Sequence, residues 1–165
     1  MNWEALGAIA EVTGVIAIVI SLLYLARQVK EGNDLNRTNT FREIMYGMIN
    51  HNNVMFGPEN AELVTRGFKS FASLPPVDKI RFAHLMTSYF QFPEDSWNSA
   101  QVGLLGDDTM ENWSWYLRTQ FFPYDGVQEW WSEYKSVYAP DFQIWMDKVA
   151  AAANRNEDPF GIADS

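Results

Sequence analysis

Few side chains in this chain are of the types that do acid–base or metal chemistry. There are two histidines, His51 and His84, and no cysteine. His51 lies in Ile49-Asn50-His51-Asn52-Asn53, and His84 sits mid-helix beside Phe82 and Leu85. Neither has a carboxylate or a second histidine three or four residues away, the spacing that puts two metal ligands on one helix face. Both are expected to be hydrogen-bonded structural residues. The acidic pairs Glu94-Asp95 and Asp107-Asp108 fall next to expected helix ends, where carboxylates cap and complement the dipole. A divalent cation would need further ligands converging on them, which spacing does not supply. No glycine-rich phosphate loop, nucleophile elbow or dinucleotide fingerprint occurs. Without cysteine, disulfides, thiolate metal sites and thiol nucleophiles are excluded. No catalytic residue, metal ligand or cofactor is therefore expected.

One carboxylate stands apart. Glu11 is the sole ionisable residue between Leu6 and Ala26, a run of Ile, Val, Leu, Ala and Gly without proline. Twenty-one helical residues rise roughly 31 Å, about the thickness of a bilayer's hydrocarbon core. The run reads as a transmembrane helix. A signal peptide would carry a basic start, a shorter apolar core and a small-residue cleavage site; here Glu4 precedes the run, and Arg27 and Lys30 follow it. A buried helix of a soluble protein is the other alternative, favoured by Glu11 and Gly14. Arg27, Lys30, Arg37 and Arg42 place the following segment on the cytoplasmic side and the amino terminus outside. Trp3 and Tyr24 fall near the two interfaces.

Small residues recur inside the run. Gly7, Ala10, Gly14, Ala17 and Ser21 alternate at three and four residues and form one seam. In lipid, such a seam lets helix backbones approach closely, so self-association or docking on a partner helix is expected. Glu11 borders the seam, about two turns in. A neutral hydrogen-bonded acid, a side chain reaching toward the interface, and a ring of carboxylates forming an ion or proton site are the alternatives.

Beyond the span the apolar period is helical throughout, and no stretch alternates with period two. Phe41, Ile44, Met45, Met48, Ile49, Met55 and Phe56 line one face until Gly57-Pro58. Gly32, Asn33 and Asp34 either bend the chain before that face or are carried through without a break. A short helix follows over residues 58–71 with Leu63, Val64, Gly67 and Phe68 inward. A third begins after Pro75-Pro76, with Ile80, Phe82, Ala83, Leu85, Met86 and Tyr89 inward, interrupted or kinked at Pro93. Asp108 is expected to cap a fourth helix with Glu111 as its capping-box partner, carrying Met110, Trp113, Tyr116, Leu117 and Phe121. Val127, Trp130, Trp131, Tyr134 and Val137 mark a fifth. Pro140 starts a sixth, with Phe142, Trp145, Met146 and Val149 inward. The fold class is all-α: one N-terminal transmembrane helix and a cytoplasmic multi-helix bundle. The expected organisation is 1–30 anchor, 31–57 juxtamembrane segment and amphipathic helix, 58–155 bundle, 156–165 flexible tail.

Trp113 and Trp115, like Trp130 and Trp131, are too close in sequence for both members to face one helix stripe. Packing between several helices is one account; an interface or a ligand pocket using these four aromatics is the other. With 15% aromatic residues the domain has ample mass for a core. Residues 31–90 carry six acids and six bases, whereas residues 91–165 carry thirteen acids and four bases, the whole net charge of −9. Such a balance argues against nucleic-acid binding, which needs cations on phosphates. It also keeps the distal half off an anionic leaflet.

The run Trp3, Leu6-Gly7-Ala8-Ile9, Glu11, Ser21-Leu22-Leu23-Tyr24-Leu25-Ala26 and Gln28 resembles a group of uncharacterised small bacterial membrane proteins. Gly126-Val127-Gln128-Glu129-Trp130-Trp131 and Ala139-Pro140-Asp141-Phe142 resemble that group's carboxy-terminal signature. The resemblance implies a bacterial origin and a single span with a helical domain, and the expected location is the bacterial inner membrane. It implies no activity and no site residues. The expected function is a non-enzymatic, self-assembling single-pass protein or an accessory subunit of a membrane complex, with the bilayer and its own copies as partners. The alternatives are a sensor holding an apolar ligand in an aromatic pocket, and an ion-conducting oligomer using Glu11.

Overall fold

A computed structural model of the chain describes residues 3–153, with the side chains of residues 4–6, 8–10, 12 and 107 outside the description. The expected tail at 156–165 thus lies outside the described residues. All regular structure among them is helical: α1 (Trp3–Met55), α2 (Pro58–Lys69), α3 (Pro76–Gln101), α4 (Asp107–Gln120), α5 (Asp125–Tyr134), a 3-10 turn (Lys135–Val137) and α6 (Pro140–Ala151). The chain divides into two compact units, Met1–Asn39 and Thr40–Ser165.

The first unit is helix alone. Its apolar side chains are uncovered: Val15 is 56% exposed and Leu23 66%. Over Thr13–Met55 the helix is long and apolar enough to cross a membrane. The polar stretch after the apolar run keeps its helix through contacts one turn apart. Arg27 Nε pairs with Glu31 Oε1 at 2.7 Å, Gln28 Nε2 donates to Tyr24 OH, and Thr38 Oγ1 donates to Asp34 O. Glycine costs a helix only about 1 kcal/mol relative to alanine. Gly32 is accordingly carried through without a break.

The second unit has one apolar core, and most of its largest buried side chains are aromatic. Phe68, Phe71, Phe82, Tyr89, Phe90, Phe121, Phe122, Trp130 and Phe142 are fully buried. Phe90 is central, edge-on to Trp130 at 4.8 Å and to Phe121 and Phe122 at 5.9 Å. Such contacts add to area burial because ring edges and faces carry opposite partial charge. The helices α2 and α5 cross where both lack a side chain. A Cβ on Gly126 would collide with the Gly67 carbonyl oxygen, and one on Gly67 with the Phe82 ring.

The buried set of α2 is Leu63, Val64, Gly67 and Phe68, the face its period predicts. Elsewhere the structure corrects the sequence. Pro93 does not interrupt α3, which runs on to Gln101. Proline offers no N–H to the carbonyl four residues back, but its ring is buried in the unit and packing there holds the helix. Glu94-Asp95 are consequently mid-helix rather than at an end. Glu94 Oε1 instead accepts the Ala139 N–H at 2.7 Å, tying α3 to the residue just before α6. Asp108 is not the cap of α4: Gly106 is, and a glycine has no side chain to bond the free amides. Ile80 is 69% exposed, while the deeper positions Phe90, Pro93 and Ser96 are buried. Near the end of α1, Met55 is buried and Ile44, Met45, Met48, His51 and Asn52 are half-buried, whereas Phe41, Ile49 and Phe56 are exposed.

Candidate functional site

The members of the small seam all fall on α1. At 100° per residue, Gly7, Ala10, Gly14, Ala17 and Ser21 lie within a stripe roughly 80° wide. A Cβ added at Gly7 or Gly14 would meet nothing within 4 Å. Ser21 Oγ donates to Ala17 O at 2.8 Å, so its hydroxyl is satisfied within the helix, as an apolar medium requires. Ala10's side chain lies outside those described. Glu11 is exposed on the same helix, beside the stripe.

The four tryptophans separate into two pairs. Trp130 and Trp131 are core residues of the second unit, not surface or pocket aromatics. They share one core because α5 is enclosed: Trp130 meets Phe90 on α3, and Trp131 meets Tyr138 and Phe142. Trp131 Nε1 donates to Asp147 Oδ1 at 2.8 Å, while Trp130 Nε1 is buried with no acceptor. Trp113 and Trp115, by contrast, line a groove of about 450 Å³ between α1 and α4.

That groove is built from both helices. Phe41, Met45 and Met48 come from α1; Asp108, Thr109, Asn112, Trp113, Trp115 and Tyr116 come from α4. Its floor is held by hydrogen bonds. Trp113 is 7% exposed and its Nε1 donates to Ser96 Oγ at 2.9 Å, while Ser96 Oγ in turn donates to Phe92 O. Tyr116 OH accepts from Tyr89 OH at 3.3 Å. Burial, reinforced by Tyr116, pushes the Tyr89 hydroxyl far above its ordinary pKa, so it stays a neutral donor. The walls are different: Phe41 and Trp115 are half-exposed, and Met45 and Met48 are flexible thioethers that adapt their shape. A fixed floor with adaptable apolar walls suits a ligand of small-molecule size, for which sites run roughly 300–1,000 Å³.

A second depression, of about 390 Å³, is more polar, with Glu43 and Thr40 on α1 facing Asp95, Asn98 and Ser99 on α3. Burial raises the Asp95 carboxyl above its usual pKa. Among the described residues, no three His, Cys, Asp or Glu side chains gather as a metal set.

Neither histidine joins these sites. His51 is half-buried between the Tyr89 and Phe92 rings, each 5.9 Å away, and its Nε2–H donates to Leu85 O at 3.0 Å. Burial lowers its pKa, aided by nearby His84, against the Leu85 bond. His84 is exposed on α3. Asp108, Thr109 and Asn112 share a face of α4 with Trp113, Trp115 and Tyr116 at one- and two-turn spacing, but sequence reasoning did not single them out as groove residues, because the opposite wall comes from α1.

No family model, curated protein or solved structure matches this chain.

Proposed function

We propose that the chain is a non-enzymatic, single-pass membrane protein whose second unit is a cytoplasmic helical domain. One observation carries the reading. From Val15 to Leu25 every Ile, Val and Leu side chain stands at least 48% exposed, with no protein surface against it. Burying nine such large side chains, Tyr24 included, is worth on the order of 10–20 kcal/mol, and lipid supplies that burial. The lysines and arginines after the span orient the domain to the cytoplasm, and the resemblance noted above fits a bacterial inner membrane. Self-assembly, or service as an accessory subunit, runs through Gly7, Ala10, Gly14, Ala17 and Ser21. In the conducting variant of this reading, Glu11 faces the oligomer axis.

Fractionation tests the anchor. Full-length protein is expected in the membrane pellet, resistant to carbonate and released by detergent. Recovery as a monomer in the detergent-free supernatant would falsify the reading. Mass measurement in detergent tests assembly, with Gly14→Leu expected to shift the protein toward monomer.

The groove between α1 and α4 favours a second reading for the domain itself: a module that binds an apolar ligand. A hydrophobic molecule that co-purifies with the wild type and is lost on Met45→Trp, which fills the groove, supports it. Equal retention by both proteins removes it.

A further inference from the structure

We infer that the α1–α4 groove selects an organic cation, an ammonium group carried on an apolar body. This rests on the binding reading of the same groove. Among the described lining residues Asp108 supplies the only carboxyl group, and none of them is a lysine or arginine. The ion pairs among the described residues do not include Asp108. Its carboxylate is therefore available at the groove's edge.

A helix N-terminus carries about half a positive charge, which taken alone favours an anion at the start of α4. Here that charge is outweighed. Asp108 and Glu111 both fall within its first five residues, leaving the local sum negative. The same groove is lined by Trp113, Trp115 and Tyr116, one to two turns further along α4, and aromatic ring faces attract cations. Methionine and phenylalanine opposite them accept an apolar body. A carboxylate, ring faces and apolar walls together are the complement of an aryl- or alkylammonium ion.

Charge also disfavours the other occupants. The chain's own last residues, 154–165, hold Arg155 against Glu157, Asp158 and Asp164. They bring net negative charge to a negative rim. A second copy brings the same acidic distal half. A zwitterionic lipid headgroup carries a phosphate beside its amine, which Asp108 repels, so a free cation is the better fit.

Isothermal titration of the full chain in zwitterionic nanodiscs tests this, with empty discs subtracted. The probes are benzyltrimethylammonium, benzyl alcohol and benzenesulfonate, which share a ring and differ in head charge. The ammonium is expected to bind about ten-fold more tightly than the alcohol, with the sulfonate weakest. Asp108→Asn, an exposed position whose helix is checked by circular dichroism, should lower ammonium affinity about five-fold and leave the alcohol unchanged. Added salt should weaken the ammonium alone. Equal binding of alcohol and ammonium overturns the cation inference and leaves the groove reading standing. Binding by none of the probes overturns both.

Discussion

The two units of this protein are both rich in apolar residues, yet they use them in opposite ways. From Leu6 to Ala26 the side chains are mostly aliphatic or small, with Glu11 the one carboxylate and Tyr24 the one aromatic ring. None of those described is buried by protein. In the second unit the core is dominated by Phe, Tyr and Trp, fully enclosed. Aliphatic chains around a lone helix suit a fluid apolar solvent, which needs no shape match. Rings packed edge to face need defined neighbours, and their indole and phenol groups need partners, as Trp113 finds in Ser96 and Tyr138 in the Thr87 carbonyl. The same apolar richness thus gives an uncovered helix in one place and a specific core in the other.

Substitutions can break either side of that contrast alone. The largest effect is expected from Ile18→Lys with Leu22→Lys, since each charge at mid-membrane costs about 2.5–3.5 kcal/mol on insertion scales. The double variant should leave the membrane pellet while retaining the near-ultraviolet dichroism of a packed aromatic core. Loss of that signal together with the anchor would mean that the two regions are not separable. Phe90→Ala should do the converse. It removes a ring meeting Trp130, Phe121 and Phe122, at a cost of about 3–5 kcal/mol in chemical denaturation, with membrane retention unchanged.

Smaller effects sharpen the picture of the groove floor. Ser96→Ala leaves the buried Trp113 Nε1–H without its acceptor and should cost about 1–3 kcal/mol, whereas Trp113→Phe with Ser96→Ala should recover part of that loss. No recovery would show that the ring's shape, not its hydrogen bond, holds the floor.

The smallest effect concerns pH. For Asp147, burial pushes the carboxyl up, but hydrogen bonds from Lys135 and Trp131 and the Lys135 charge prevail and hold its pKa below the ordinary value. The folded state thus binds the proton less readily than the unfolded chain. The stabilisation is present above the unfolded pKa and is lost as pH falls through the folded one. Because the pair is well exposed, Asp147→Asn should flatten the acid limb of stability by less than about 1 kcal/mol. His51 shifts in the same direction, so its contribution is held above its ordinary pKa of 6.5 and declines as pH drops below it. His51→Gln should remove that decline, as read from denaturation midpoints between pH 7.5 and about 5.

Sequence reasoning succeeded where one helix face meets one core. The α2 set and the start of α6 at Pro140 follow from period and proline chemistry alone. It failed where a neighbour from far along the chain intervenes. A local miss stands apart: the capping pattern at Asp108 and Glu111 looks complete in sequence, yet Gly106 takes the cap position. Pro93 looks like a break, yet tertiary packing carries α3 on through it. The adjacent Trp130 and Trp131 point to different faces, and only the enclosure of α5 by other helices buries both.

Local order, then, was determined by the residues themselves: helices everywhere, an apolar run of membrane length, an acidic distal half. These depend on periodicity and on charge, which are additive along the chain. The groove between α1 and α4, the Gly67–Gly126 crossing and the sharing of one core by Trp130 and Trp131 were decided only in three dimensions. Each requires surfaces distant in sequence to meet, and a one-dimensional period carries no information about which surfaces those are.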